Sequence, residues 1–246
     1  MRNLGKMKVL ITAAGLGTRM GNVTHSLNKC LLTVGGKSLL RNLVNNFKKA
    51  GISDIFVITG HCADLVEKEL KGEVTFIHNS NYASTSILGS VILAQEFLKD
   101  SDFIFITGDS LLHPLLIQKM IDSKEKEQIL VCVDLKKCDE EDMKIVINDN
   151  IILDISKEIP ISKSNGEYTS LTYLPATISN SFFEAIFQSL KGSKKQYVAD
   201  ILLSLQEKGF KLVPIYTDGL PRIEIDYPKD LDDAQKLYSL FTTYLK

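Results

Sequence analysis

Short β-branched runs alternate along this chain with stretches of helical period, and that alternation limits the fold more than any other feature. KVLITA at 8–13, DIFVIT at 54–59 and FIFIT at 103–107 are each too short for a helix and rich in strand formers. Between them, 38–50 places Leu39, Leu40, Leu43, Val44 and Phe47 on one helical face and stops at Gly51. Strands alternating with amphipathic helices read as parallel strands joined by crossovers. The spacing predicts strands at 8–13, 54–59, 73–78 and 103–107, with helices over 38–50, around 65–70 and over 87–98. After Val131 the pattern changes to short strands at 144–147, 151–155 and 168–174, with helices from Asn180 and Gln196. Strands at 211–216 and 222–225 precede a final helix from Pro228 that carries Leu231, Ala234, Leu237 and Leu240. The fold class is therefore α/β, a Rossmann-like, mostly parallel mixed sheet with flanking helices. With no internal repeat and no low-complexity linker, residues 1–246 are expected to form one continuous domain.

Bulk charge narrows the partners. Twenty-nine basic residues against thirty acidic ones leave a net charge of -1, so no overall field attracts nucleic acid. An anionic ligand would be small and held by local geometry. The four cysteines, Cys30, Cys62, Cys132 and Cys138, form no CxxC pair and sit in apolar stretches, which suits reduced, buried thiols and a cytoplasmic setting. Apolar runs reach only about five residues, far below the roughly 18 that a membrane span needs. The opening MRNLGKMKVL is interrupted by Lys6 and Lys8 and lacks a secretory core. Neither a membrane nor a nucleic acid is expected as a partner.

The segment Ile11–Lys29, ITAAGLGTRMGNVTHSLNK, carries most of the chemistry. A strand runs into small residues, then a turn with Gly15 and Gly17, then Arg19 and, ten residues on, Lys29. Backbone N–H groups in such a loop cradle phosphate oxygens, and two nearby cations add charge-assisted bonds. A plain strand-to-helix turn with two solvated cations is the bland alternative. A dinucleotide fingerprint is the other. It lacks the acidic residue that should close the second strand, which here ends Thr59, Gly60, His61. Asp109 and Asp226 each close a strand, and taken singly they also suit a turn residue and a helix N-cap before Pro228. His25, His61, His78 and His113 show no transition-metal spacing, and His25 alone lies between the two cations.

AAGLGTRM followed by Lys29 resembles the signature of nucleotidyltransferases, which join an NTP to a phosphorylated acceptor and release pyrophosphate. The likeness continues through NSNYASTSILGSVILAQ, FIFITGDS, MKIVINDNIILDISKEI, GEYTSLTYL and RIEIDYPKDLDDA. Together these look most like choline-phosphate, inositol-phosphate and aminoethylphosphonate cytidylyltransferases, of the nucleotide-diphospho-sugar transferase fold type. The resemblance implies a nucleotide-binding part over about 7–130 and an acceptor-binding part over about 131–246. It implies that Arg19 grips the β- and γ-phosphates, that Lys29 holds the α-phosphate region, and that Asp109 and Asp226 bind one Mg²⁺. The base would lie over Ala13, Ala14 and Gly15, with Gly17 and Thr18 in the phosphate loop and Ser84, Thr85 and Ser86 at the base edge. At least one of those three hydroxyls is expected to cap the helix behind them instead.

Lys144 and Lys157 would hold the acceptor phosphate, while Glu167, Tyr173 and Arg222, with Tyr168 and Tyr197, would line the rest. The chain departs from the family in having Arg222 where relatives commonly have Trp before the EID triplet. Ser170 stands for a glycine, Thr12 for a leucine, and Leu27 and Asn28 for Thr-Pro. With no Trp in the sequence, the aromatic cage for a quaternary ammonium is missing its best component. The expected activity is Mg²⁺-dependent transfer from CTP to a small phosphorylated alcohol, amine or polyol, with CTP and that acceptor as partners and a homodimer as the assembly to consider. The rivals are a sugar-1-phosphate uridylyl- or guanylyltransferase and a non-catalytic nucleotide-binding regulatory protein.

Overall fold

A computed structural model describes residues 7–24, 26–125, 127–192 and 196–241. In chain order the strands are β1 (Lys8–Ala13), β2 (Thr33–Val34), β3 (Lys37–Ser38), β4 (Asp54–Thr59), β5 (Thr75–His78), β6 (Phe103–Thr107), β7 (Ser110–Leu112), β8 (Gln128–Asp134), β9 (Lys144–Asn148), β10 (Ile151–Ser156), β11 (Gly166–Leu174), β12 (Lys211–Tyr216) and β13 (Arg222–Glu224). The α-helices are α1 (Leu39–Lys49), α2 (Ala63–Glu69), α3 (Ile87–Val91), α4 (Gln95–Leu98), α5 (Pro114–Asp122), α6 (Ala176–Ser189), α7 (Val198–Glu207) and α8 (Pro228–Phe241). Among the described residues no helix is long and apolar enough to cross a membrane.

The chain forms two compact units, and neither is a single stretch of sequence. The first comprises Met1–Thr85, Ile106–Gln118 and Leu220–Lys246. In it β1, β4 and β5 pair in parallel, with Ala13 opposite Thr59 and Thr59 opposite His78 at their last rungs. Ser38 caps α1 by accepting from the Arg41 N–H, and the expected face of Leu39, Leu40, Leu43, Val44 and Phe47 is buried. Full burial of such a side chain is worth roughly 1.5–3 kcal/mol, so this face holds α1 in place more firmly than its cap does. A further apolar cluster joins Met20, Leu32, Val34, Leu39 and Leu111 to Ile225, Ala234 and Phe241. Ile225, Ala234 and Phe241 thus share a core with Met20, Leu32, Val34 and Leu39, far away in sequence. The β7 strand, which no periodicity announced, pairs antiparallel with β13.

The second unit comprises Ser86–Phe105 and Lys119–Gly219. Here β11 pairs antiparallel with Phe103–Phe105 of β6, with β8 and with β9, while β9 pairs antiparallel with β10 and β8 pairs parallel with β12. This is the switch from parallel to antiparallel strands expected after Val131. The helix expected over 87–98 is broken into α3 and α4 by a 3-10 turn at Ile92–Ala94. Two β-branched residues in succession, Val91 and Ile92, crowd the preceding turn there. The helix expected from Asn180 starts earlier, at Ala176, whose N–H donates to Asp102 Oδ1 at 2.9 Å. Inside β11 the pairing with β8 slips between Tyr168 and Thr172, and Ser170 sits in the left-handed region at φ 57°.

Candidate functional site

The end of β1 is enclosed by backbone, and two glycines make that enclosure possible. The Gly108 N–H donates to the Thr12 carbonyl at 2.8 Å, and the His61 N–H donates to the Ala14 carbonyl at 3.1 Å. A Cβ on Gly108 would stand 2.9 Å from the Thr12 carbonyl oxygen, and one on Gly60 would stand 2.8 Å from that of Ala14. Neither position admits a side chain. Gly15 differs, because a Cβ there would meet nothing within 4 Å. Its missing side chain answers to no protein neighbour and leaves room for a ligand to approach the main chain. Gly17 adopts φ 65°, which requires glycine or a strained substitute.

The loop after Gly17 is stapled in place. Thr24 Oγ1 donates to the Gly17 carbonyl at 2.9 Å, and His61 Nε2 lies 2.9 Å from the Thr24 carbonyl oxygen, to which it donates. Met20 is buried in the apolar cluster, whereas its neighbour Arg19 stays half-exposed with 48% of its side chain open to solvent. Leu16, Thr18, Gly21, Thr24 and His61 line a cavity of about 260 Å³.

Four charged side chains meet at this edge of the first unit. Lys29 Nζ lies 2.5 Å from Asp109 Oδ2 and 2.8 Å from Asp226 Oδ1, and Arg19 Nη2 lies 2.8 Å from the same Asp226 oxygen. The Arg19 guanidinium also stands 5.7 Å from the centre of the Tyr227 ring. Burial works to raise the Asp109 pKa, but the Lys29 charge and hydrogen bond, helped by Thr107, hold it below the usual carboxylate range. Burial likewise works to lower the Lys29 pKa, and the paired carboxylates outweigh it and raise it. Both groups are therefore charged at neutral pH.

The backbone brings these residues together and leaves the side chains free to act. The Ile225 N–H donates to the Asp109 carbonyl at 3.1 Å, tying the two acidic positions. At the start of α8 the N–H groups of Asp226 and Tyr227 donate to Asp230 Oδ2 at 2.8 and 2.7 Å. Asp230 therefore does the capping, and the Asp226 carboxylate faces Lys29 and Arg19 instead. Asp109 Oδ1 is buried with no hydrogen-bond partner among the described residues. An orphaned carboxylate oxygen beside a second carboxylate fits a divalent cation. Among the described residues no group of three or more His, Cys, Asp or Glu side chains is placed to hold a metal ion. A pair of carboxylates with the remaining positions left to phosphate and water is the donor set typical of Mg²⁺ rather than of a transition metal.

The other expected site residues fall in different surroundings. Ser84 Oγ and Thr85 Oγ1 both donate to the Asn81 carbonyl, and Ser86 caps α3 by accepting from the Gly89 N–H, which accounts for the cap foreseen among the three. Lys144 is fully buried, and its ammonium donates to the carbonyls of Asp139, Glu140 and Asp142 at 3.1–3.3 Å. That cation is spent on shaping the 139–142 turn, which corrects its reading as a phosphate ligand. Tyr173 is equally buried, with its hydroxyl bonded to Asp102, and serves the core of the second unit rather than a pocket wall. Glu167 pairs with Lys136 at 2.9 Å, Lys157 pairs with Glu141 at 3.3 Å, and Arg222 opens β13 opposite Leu112. Tyr168 is buried with its hydroxyl 2.7 Å from Thr172 Oγ1, while Tyr197 is exposed. His25 lies outside the described residues. Thr24 and Asp230 carry no expectation from the sequence, and His61 carries only that of a surface or satisfied loop histidine. Only Asp230 had a signal, as an acidic residue in a first helical turn.

All four thiols are free, as expected, with Cys62 half-buried and the other three buried. The sequence matches the family described as MobA-like NTP transferase domain over residues 9–205. A CTP:phosphoglutamine cytidylyltransferase from Campylobacter jejuni is 25% identical over 255 aligned positions, covering 92% of this chain and 98% of that protein. A CMP-5'-(3-aminopropyl)phosphonate synthase from Streptomyces rubellomurinus is 27% identical over 50% of this chain, which spans only 20% of that longer protein. The solved inositol-1-phosphate CTP transferase from T. maritima shares the fold with a TM-score of 0.80 at 21% identity, over 97% of each chain. With the motif, the four-charge cluster and the fold in agreement, the chain belongs to the MobA-like NTP transferase family and is a nucleotidyltransferase.

Proposed function

We propose that this nucleotidyltransferase moves the cytidylyl group of CTP onto a small phosphorylated alcohol, amine or polyol and releases pyrophosphate. One observation carries the reading: Arg19, Lys29, Asp109 and Asp226 meet beside a loop whose Gly15 leaves its main chain open to a ligand. Arg19 takes the β- and γ-phosphates and Lys29 the α-phosphate, each exchanging a carboxylate for a phosphate oxygen. Asp109 and Asp226 would hold Mg²⁺, which would supply neutralisation of charge on the reacting phosphates. The protein needs no covalent nucleophile. It orients the acceptor oxygen in line with the α-phosphorus and stabilises the departing pyrophosphate with fixed cations.

Ala13, Ala14 and Gly15 form the platform for the base, and Gly17 and Thr18 contribute to the phosphate cradle. Ser84 and Thr85 offer hydroxyls to the base edge in this proposal, while Ser86 keeps its capping role. The choice of CTP is supported by the Campylobacter relative, whose name states that nucleotide and which this chain matches almost end to end. Lys157, Glu167 and Arg222 remain as proposed acceptor contacts. An Arg at 222 and the absence of Trp favour an acceptor bearing hydroxyl or carboxylate groups over a quaternary ammonium. Free, mostly buried thiols suit work in a reducing cytoplasm.

Pyrophosphate release with Mg²⁺ tests this directly. CTP, UTP, GTP, ATP and dTTP are each paired with phosphocholine, aminoethylphosphonate, inositol phosphate, glycerol phosphates and hexose 1-phosphates. Release with CTP and a non-sugar phosphate is the expected result. Release only with UTP or GTP and a hexose 1-phosphate overturns the substrate assignment.

A further inference from the structure

We infer that Asn28 is a positioning residue for nucleotidyl transfer, setting Lys29 and the base platform through a single buried amide. The inference rests on the proposed role of Lys29 and adds to it the group that holds Lys29 in register. Asn28 is 2% exposed. Its Nδ2 donates to the Ala13 carbonyl at 2.7 Å and to the His61 carbonyl at 2.8 Å, and its Oδ1 accepts from the Cys30 N–H at 3.1 Å.

Those three partners lie on three separate segments. Ala13 is the last residue of β1 and opens the base platform. His61 follows the end of β4, whose pairing with β1 ends at Ala13 and Thr59. Where the two parallel strands part, their carbonyls lose strand partners, and the Asn28 amide supplies a donor to each side of the split. Cys30 belongs to the 3-10 turn Lys29–Leu31, and Asn28 is the N-cap of that turn. Lys29 is its first residue, so its backbone is held from one side by the cap. On the other side lies Gly17, where a Cβ would be in van der Waals contact with Lys29 Cβ at 3.4 Å.

Only a short side chain with two donors and an acceptor can satisfy all three groups. Aspartate would present oxygen to two carbonyls, and alanine would leave both carbonyls without a donor. Serine keeps the turn cap and can reach one carbonyl at most. A small displacement of Lys29 matters because charge stabilisation in a preorganised site depends on placement to within about half an ångström.

A double-mutant cycle tests the coupling, with Asn28→Ala and the milder Asn28→Ser each combined with Lys29→Gln. Two readouts are used: turnover by pyrophosphate release, and binding of inorganic tripolyphosphate by calorimetry, which stays measurable in slow variants. With Lys29 present, Asn28→Ala is expected to lower turnover about tenfold or more and to weaken tripolyphosphate binding, with Asn28→Ser intermediate. With Lys29→Gln already in place, the same changes at 28 should cost less than about twofold in either readout. Losses that multiply across the cycle, accompanied by a matching fall in melting temperature, would mean that Asn28 serves the fold alone and would overturn the inference. If Asn28→Ala does not fold, the Asn28→Ser arm gives the same decision. If Lys29→Gln on its own leaves turnover and binding intact, the assignment of Lys29 fails, an outcome distinct from failure of the coupling.

Discussion

Asp109 and Asp226 share one ammonium, and that sharing decides what a substitution at either position does. Replacing either with asparagine keeps the shape but removes a charge from the pair proposed to bind Mg²⁺. Asp109→Asn and Asp226→Asn are each expected to lower pyrophosphate release by about a hundredfold or more. Turnover within a fewfold of wild type in either variant would remove that carboxylate from the metal site. Away from this cluster, Ser170 holds a left-handed backbone at φ 57° within the β11 slip, which the Tyr168 hydroxyl spans by donating to the Ser170 carbonyl at 3.2 Å. A non-glycine residue pays for that conformation, so Ser170→Gly should raise the unfolding free energy by about 1 kcal/mol in a urea titration. A lower value would mean that the Ser170 hydroxyl contributes more than the strain costs. Arg19, Lys29, Asp109 and Asp226 stand out in the sequence through the family resemblance of their motifs, since taken singly a loop cation, a turn residue and a helix N-cap describe them as well. The partners of Asn28 do not, since they are backbone carbonyls and an N–H that carry no residue identity. Lys144 misled for the opposite reason: a lysine suggests an exposed cation, and three carbonyls of a turn made a buried one tolerable.

Among the elements, strands and amphipathic helices were read within a few residues, because periods of two and 3.6 survive in the side-chain pattern. β1, β4, β6 and β12 have the expected bounds. β7 and α5 go beyond the expected elements: the first has only three residues, and the second starts at Pro114 directly after it and buries Leu116, Ile117, Met120 and Ile121. The two meet at His113, which is fully buried, with its ring Nε2 3.3 Å from the Phe241 carbonyl and its Nδ1 accepting from the Leu115 N–H. Burial pushes the imidazole pKa below its ordinary 6.5, and the Phe241 carbonyl opposes this only in part. The folded protein therefore keeps His113 neutral where an unfolded chain would bind a proton. Stability is expected to fall as the pH drops below about 6.5, with a slope from this group of at most about 1.4 kcal/mol per pH unit. Chemical denaturation between about pH 5 and 8 reads that slope, and His113→Gln should flatten it. An unchanged slope in the variant would assign the loss to other groups.

For the molecule as a whole, periodicity says nothing about which distant segments share a core. The first unit draws on three stretches, and its apolar cluster joins Met20 of the glycine loop to Ile225, Ala234 and Phe241, about 200 residues further along the chain. Asp226 lies beyond the residues 9–205 matched by the family, so that match by itself would not have found it. A chain cut after Gly219 should lose tripolyphosphate binding and expose the first unit to proteolysis, even though every residue of the glycine loop remains. Binding at wild-type strength in the truncated chain would show that the loop is organised without α8. Translation gives this arrangement a temporal meaning. Synthesis runs from the amino end, so the ribosome delivers the glycine loop early and all of Lys119–Gly219 before the segment that carries Asp226 and α8. The nascent polypeptide consequently holds its cations for a long interval without one of their two acidic counterparts. With Asp226 in its proposed role, catalytic competence waits until the residues of the second unit have been delivered.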